Sequence, residues 1–248
     1  MSGEQVEFGF VAALEREVKG VVRGWSAEKA SGTSGEQRIY RGQNASLICA
    51  GTGVSRAYAA AKLLVERCSP KVLVSMGFAG ACVSELLPGM GKLSPGAVFV
   101  PAKVFQFATG KSFPAAFGFG QLVTLDSVAG KGMKQCSAAR FGAQAVDMEA
   151  AGVAAVAAEH GLEFVAIKAI SDGVDEDLGF LSDFVKPEGF ATVRFVAHIA
   201  VRPKLWPRVA ALQANSELAA KSLESAVSYC MRDWQQFSKR YSSGTAEV

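Results

Sequence analysis

The sequence predicts an α/β fold in three layers, a central mixed β-sheet with helices on both faces and a further helix near the carboxyl end. Two observations carry this. Short apolar runs at Val6–Leu14, Lys71–Met76 and Glu163–Ile170 suit strands buried on both faces. They alternate with segments of helical periodicity, the order that builds a mixed or parallel sheet covered by helices.

Taken in order, Val6–Leu14 is a strand and Glu15–Arg23 a helix, followed by a polar surface connection over Ser26–Glu36. Arg38–Arg41 and Ser46–Ala50 are strands, the second running into GTG. Ser55–Cys68 (SRAYAAAKLLVERC) is helical until Pro70 stops it. Lys71–Met76 is a strand ending at a GFAGA turn. Beyond Gly89 come strands at Ala97–Phe107 and Gln121–Leu125 around a Gly- and Phe-rich loop, residues 108–120, long enough to be functional. Met148–His160 is a helix made almost wholly of Ala, Gly and Val, whose small side chains permit close backbone approach. Glu163–Ile170 is the last strand, closing on SDGVDED. Pro203 and Pro207 then precede one long helix, Arg208–Arg240, with Leu212, Ala219, Leu223, Ala226 and Cys230 on one stripe. The last residues, SSGTAEV, read as a frayed tail.

Composition excludes several classes. Of 248 residues 50% are hydrophobic and 20% charged, which supplies a large core and argues against disorder. The net charge of +3 is spread without a concentrated basic patch, so nucleic acid is not an expected partner. Five widely spaced cysteines (Cys49, Cys68, Cys82, Cys136, Cys230) include no Cys-x-x-Cys pair, and are expected to be reduced thiols. The start, MSGEQVEFGF, lacks a secretory pattern and no 18-residue charge-free apolar run occurs, so the expected location is the cytoplasm, with no membrane span. His160 lies where a helix ends and suits its dipole; His198 lies in an apolar stretch and suits a core. With these two histidines and no G-x-S-x-G elbow, neither a His-ligated metal nor a Ser-His-Asp triad is supplied. The chemistry falls to carboxylates, amides and arginines.

Three strand ends deliver polar or glycine-rich turns: GTGVSRA after Ala50, GFAG after Met76 and SDG after Ile170. Ligands of open α/β sheets bind where the carboxyl ends of strands converge. GTGVSR is not a dinucleotide fingerprint, because Arg56 stands at the third glycine. Gly110–Ser112 (GKS) is not a phosphate loop, because Phe105 replaces its first glycine. More specific is Val146–Ala155 (VDMEAAGVAA) taken with Ala166–Gly173 (AIKAISDG). A strand ending at Met148 turns Asp147 and Glu149 toward one side, where two carboxylates face one pocket. Each acid also has a plain reading: a charge answering a helix dipole for Asp147 or Glu149, and an Asx turn for Asp172.

The combination of FVAALEREV (Phe10–Val18), GTGVSRAYAAAKLL, VSMGFAGAC, AVDMEAAGVAAVAAEHGLEF and AIKAISD resembles the nucleoside phosphorylase and nucleosidase superfamily over about residues 6 to 200. This superfamily includes the methylthioadenosine/S-adenosylhomocysteine nucleosidases. The ALEREVKGVVRGW and RPKLWPRVAALQANSELAAKSL segments resemble its branch of phosphorylases associated with hopanoid biosynthesis. The resemblance implies a phosphorylase/hydrolase-like domain over residues 1–202, with 203–248 as a C-terminal helical extension and tail, assembled as a dimer or larger homo-oligomer. It implies cleavage of a purine N-glycosidic bond through an oxocarbenium-like transition state, with a small-molecule nucleoside as partner and no metal or organic cofactor. By position, Glu149 grips the sugar hydroxyls beside Met148, Asp172 supported by Ser171 lets purine N7 gain a proton, and Glu17 orients attacking water. Gly77 and Gly80 fit the glycine-rich turn beside the nucleophile.

Phosphate or water remains open at this stage, with phosphorolysis to a ribose 1-phosphate derivative slightly preferred and hydrolysis the alternative. A non-catalytic nucleoside-binding protein is a more remote reading. Arg16 aligns with a phosphate-binding arginine, and Arg56 with Gly53 is a second cation and amide near a helix start, where anions bind. Phe78, where many members carry serine, and Ser75, where some phosphorylases carry arginine, argue against phosphate, and Glu17 favours hydrolysis. Glu15, Arg16 and Glu17 also read as a solvated first helical turn. Val128 stands where adenosine-specific members place an aromatic ring. Phe105, Phe107, Phe113, Phe117 and Phe119 are candidates for an apolar channel around a 5′ substituent, and Asp175, Glu176 and Asp177 for a solvated turn.

Overall fold

Strand β1 (Phe8–Ala12) is buried along its whole length, as its unbroken apolar sequence requires. In the computed structural model, which describes residues 6–32, 35–86, 91–181, 184–186, 189–190 and 206–242, β1 runs parallel to β4 (Ala45–Cys49) on one edge and β5 (Val72–Ala81) on the other. A hairpin of β2 (Ser26–Gly32) and β3 (Gly35–Arg41) adds antiparallel to β4. β5 is also parallel to β11 (Glu163–Asp172), which holds the short β6 (Val98–Phe99) antiparallel on its far side. The last residues of β5, Gly80 and Ala81, turn to β10 (Ala145–Asp147), and from there the sheet continues through β9 (Gln121–Thr124), β7 (Lys103–Gln106) and β8 (Ser112–Pro114). A separate small hairpin joins β12 (Val185–Lys186) and β13 (Gly189–Phe190).

Alternation along the strands creates two cores. Val11 of β1 and Phe164, Ala166 and Ile170 of β11 pack with α2 (Val54–Cys68) and α4 (Ala150–His160) on one face. Phe8, Phe10 and Ala12, with Val165, Ile167 and Ala169, pack on the other face with the carboxyl-terminal helices α5 (Trp206–Arg232) and α6 (Trp234–Ser242). A smaller cluster of Cys82, Val123, Leu125 and Val146 lies beside α3 (Lys131–Phe141), whose Ala138 and Phe141 pack on it. The small residues of α4 do what the sequence suggests. A Cβ on Gly152 would stand 2.3 Å from the Val54 carbonyl oxygen, so α2 and α4 touch backbone to backbone.

Several expectations are corrected. The helix after β1 is a single turn, α1 (Glu15–Val18). Ser26–Glu36 is not a loop: most of it is strand β2 and the start of β3, polar because that hairpin is the sheet edge and leaves much of its surface in water. GFAG is not a turn, since β5 continues through it alongside β11. Loop 108–120 contains β8. The long C-terminal helix breaks at Asp233, whose Oδ1 accepts the Gln236 amide at 3.0 Å and caps α6. Helix α3 has no counterpart in the sequence reading. His160 ends α4 as expected, before Gly161 in the left-handed region at φ 65. His198, Pro203 and residues 243–248 lie outside the described residues.

Candidate functional site

The carboxyl ends of β1, β4, β5, β9, β10 and β11 converge on a cavity of about 550 Å³. Its floor and walls include Leu14, Arg16 and Glu17 after β1, Phe78–Gly80 in β5, Asp147–Glu149 after β10, and Ser171 and Asp172 at the end of β11. Ser127 and Val128 close one side. Helix α5 supplies a wall that sequence reasoning did not assign, with Val209, Leu212, Gln213, Ser216, Glu217 and Ala220 facing Leu178 and Leu181.

Five acids line this cavity, Glu217 on α5 among them, and the other four, Glu17, Asp147, Glu149 and Asp172, are only 5–8% exposed. Glu17 Oε2 accepts the Leu14 amide at 3.1 Å. Burial pushes its carboxyl above the ordinary range, against the pull of that amide and of Arg16. Glu149 forms the N-terminal boundary of α4; its Oε1 accepts the Gly53 amide at 3.0 Å and its Oε2 the Met148 amide at 3.3 Å. Burial, then the neighbouring Asp147 charge, push Glu149 up to about 8, with Lys168 opposing and Glu17 adding to the rise.

Asp147 is differently placed. Its oxygens accept the Thr124 hydroxyl at 2.7 Å and the Ala150 amide at 2.9 Å, and pair with Lys168 Nζ at 2.8 Å. The expected pair of acids turned toward one pocket is thus corrected. Both residues border the cavity, yet the Asp147 carboxylate is spent inside the protein on the β10–α4 junction. Asp172 Oδ1 accepts the Ser171 hydroxyl at 2.7 Å, which is the expected support. Its Oδ2 pairs with Lys134 Nζ at 2.5 Å.

The other predicted residues divide. Met148, Val128, Phe78 and Arg16 line the cavity, and so does Gly80, where a Cβ would come within 2.7 Å of Asp172 Oδ2. Gly77, Gly53 and Arg56 do not line it. Gly77, at φ 148, sits behind Glu17, and a Cβ there would press on Glu17 Oε2 at 3.3 Å. The Gly53 amide at the start of α2, the natural anion donor, already holds Glu149. None of the five phenylalanines lines the cavity. Phe105 and Phe107 stack on Phe141, Phe113 is core, Phe117 packs on Trp234 and Phe237, and Phe119 borders a separate cleft, so no aromatic channel forms. Asp175, Glu176 and Asp177 form a turn held by Lys131 and by the Gly173 and Gly179 amides.

Sequence reasoning missed the two buried lysines. Lys168 had a signal, a charge inside the otherwise apolar AIKAI strand, since a buried lysine demands a partner. Lys134 had none, because α3 was not recognised. All five cysteines are unpaired, and burial pushes Cys49, Cys82 and Cys230 up to about 12, which leaves them inert at neutral pH. Among the described residues no group of three or more His, Cys, Asp or Glu is arranged to hold a metal, and no helix is long and apolar enough to cross a membrane.

Comparison with known proteins follows the same line. The phosphorylase superfamily matches residues 103–199. The fold is similar to that of the 5′-methylthioadenosine/S-adenosylhomocysteine nucleosidase of Neisseria meningitidis in complex with methylthio-immucillin-A, at a TM-score of 0.66 and 16% identity over 91% of this chain and 98% of that one. The Arabidopsis thaliana 5′-methylthioadenosine nucleosidase gives a TM-score of 0.66 at 18% identity, covering 92% and 96% of the two chains. A futalosine hydrolase mutant of Helicobacter pylori gives 0.59 at 17% identity over 72% and 92%. Family match and fold both agree with the nucleoside phosphorylase and nucleosidase superfamily that the chain's motifs resemble.

Proposed function

We propose that this protein is an enzyme that cleaves the N-glycosidic bond of a purine, adenosine-type nucleoside, with water as the nucleophile. The observation that carries the reading is the meeting of Glu17, Glu149 and Asp172, remote in sequence, on one cavity at the strand ends. As the bond to the base loosens, positive charge grows on the sugar and negative charge on the leaving heterocycle. A carboxylate ~4 Å from the sugar, at an effective dielectric of ~20, stabilises a full positive charge by about 4 kcal/mol, close to a thousandfold in rate. In this reading Glu149 grips the sugar hydroxyls and supplies that charge when ionised. Asp172, steadied by Ser171, passes a proton to the leaving purine while Glu17 takes the proton that the attacking water loses, and exchange with solvent resets both; a positioned proton donor contributes roughly 10²–10⁴-fold. Glu17 orients water.

The choice of water over phosphate reverses the slight preference drawn from sequence. A phosphate in this cavity would meet several acids, whereas Arg16 is the one arginine among the described residues that line it. Gly53 gives its amide to Glu149, and Arg56 lies off the wall. Phosphorolysis stays the second reading, favoured by Arg16. The apolar side formed by Leu178, Leu181, Val209 and Leu212 supports a substrate with an apolar 5′ substituent, and 5′-methylthioadenosine, for which the Neisseria and Arabidopsis proteins are named, is the first to try. As proposed, the reaction draws on carboxylates and a proton and invokes no resident cofactor.

Chromatographic assay of free base tests the reading. Wild-type protein is expected to release adenine from 5′-methylthioadenosine or adenosine, and Asp172→Asn to bind nucleoside while releasing base at least a hundredfold more slowly. Absence of base release from every purine nucleoside tried would overturn it.

A further inference from the structure

Lys134 occupies an unusual position for a lysine. Its side chain is 1% exposed, and it does not line the cavity. Its ammonium nevertheless has all three donors engaged, on Asp172 Oδ2 at 2.5 Å, the Gly173 carbonyl at 2.7 Å and the Glu176 carbonyl at 3.0 Å. Helix α3 buries this lysine and Ser137 on its inner side. The sheet makes room for the pair: a Cβ on Gly80 would lie 2.7 Å from Asp172 Oδ2 and 3.1 Å from Lys134 Cε.

A buried ion pair is a poor source of net stability, since desolvating two charges offsets their attraction and an apolar pair of similar volume often does as well. The geometry therefore points past stability to the acid that the lysine holds. Asp172 is gripped from two sides, Ser171 on one oxygen and Lys134 on the other, and Lys134 also anchors the 173–176 turn that follows it. Two fixed donors on two oxygens define the plane of the carboxylate as well as its place. A single hydrogen bond leaves a carboxylate free to rotate about its last torsion.

We propose that Lys134 is a positioning residue for base departure: from outside the cavity it fixes the Asp172 carboxylate where the leaving purine meets it, and it acts only through Asp172. This rests on the role given to Asp172 above.

The test is a double-mutant cycle in steady-state kinetics on a purine nucleoside, with Lys134→Met, Asp172→Asn and the double variant, together with Lys134→Arg. Thermal unfolding of each confirms that it is folded. Lys134→Met is expected to lower kcat by roughly the hundredfold that a positioned acid contributes, with KM changed far less. In the Asp172→Asn background the same substitution is expected to have little further effect on kcat, because the group it positions is already gone. Lys134→Arg, which keeps the charge, restores a large part of the loss. Should Lys134→Met fail to fold, the double variant, which buries neither charge, and Lys134→Arg still give the comparison with Asp172→Asn. Losses that multiply in the double variant, or a fall in KM and kcat without regard to Asp172, would overturn the proposal. Wild-type protein that releases no base would instead sink the proposed function, so the two failures are distinct.

Discussion

Lys168 Nζ lies 2.8 Å from Asp147 Oδ2, with the lysine side chain 1% exposed and the aspartate 0%. Lys168 also donates to Ser75 Oγ at 3.0 Å, so one cation ties β11 to β5 and to the β10–α4 junction. That junction carries Met148 and Glu149 into the cavity. Asp147 works for the site from behind, by holding the backbone that presents its neighbours.

Removing the cation alone leaves Asp147 buried without a counter-charge. Lys168→Met is expected to destabilise the protein by about 3–5 kcal/mol in urea unfolding, and adding Asp147→Asn to recover a substantial part of that loss. Simple addition of the two losses would show that the pair is not coupled.

Glu149 gives stability a pH signature. Its carboxyl rises from 4.5 to about 8 through burial and then the Asp147 charge, so the folded state binds more protons than the unfolded state between those values. Its contribution is therefore fully present below about 4.5 and is lost as pH rises through about 8. Glu17, also raised by burial, acts in the same direction. Melting temperatures of wild type are expected to fall between pH 5 and 8.5, and Glu149→Gln to flatten that fall. An unchanged slope in the variant contradicts the assignment.

The α2–α4 contact predicts a packing effect far from the chemistry. Gly152→Ala drives a methyl group to 2.3 Å from the Val54 oxygen, so the helices must separate. The expected loss is about 1–3 kcal/mol in chemical denaturation, and a neutral result would mean that the helices part freely.

The wall from α5 predicts selectivity at the 5′ position. Leu212→Asn is expected to lower kcat/KM for a 5′-alkylthio nucleoside about tenfold or more while changing plain adenosine much less. Equal losses on both substrates would remove α5 from the specificity account.

The legible parts of the molecule are those where one physical signal dominates. β1, α2, α4 and β11 have long, unbroken patterns, and their helices end before Pro70 and at His160 as expected. β2 was hidden because an edge strand keeps polar residues on its exposed surface, and α3 because its inner side buries a lysine and a serine instead of an apolar stripe. In the site, Glu17, Glu149, Ser171 and Asp172 were visible through their motifs. The lysines behind the acids were not, because pairing across 21 residues for Asp147–Lys168 or 38 for Lys134–Asp172 leaves no mark on local periodicity. Arg56 and Gly53 looked like an anion site because a helix start is one in general. Here Glu149 itself takes the Gly53 amide.

The most direct measurement is the fate of the sugar when the nucleoside is cleaved in ¹⁸O-labelled water under saturating phosphate. The account predicts free base and one labelled oxygen at the anomeric carbon of a free sugar, both formed at least a hundredfold more slowly in Asp172→Asn. A sugar 1-phosphate without label, or no cleavage at all, would contradict it.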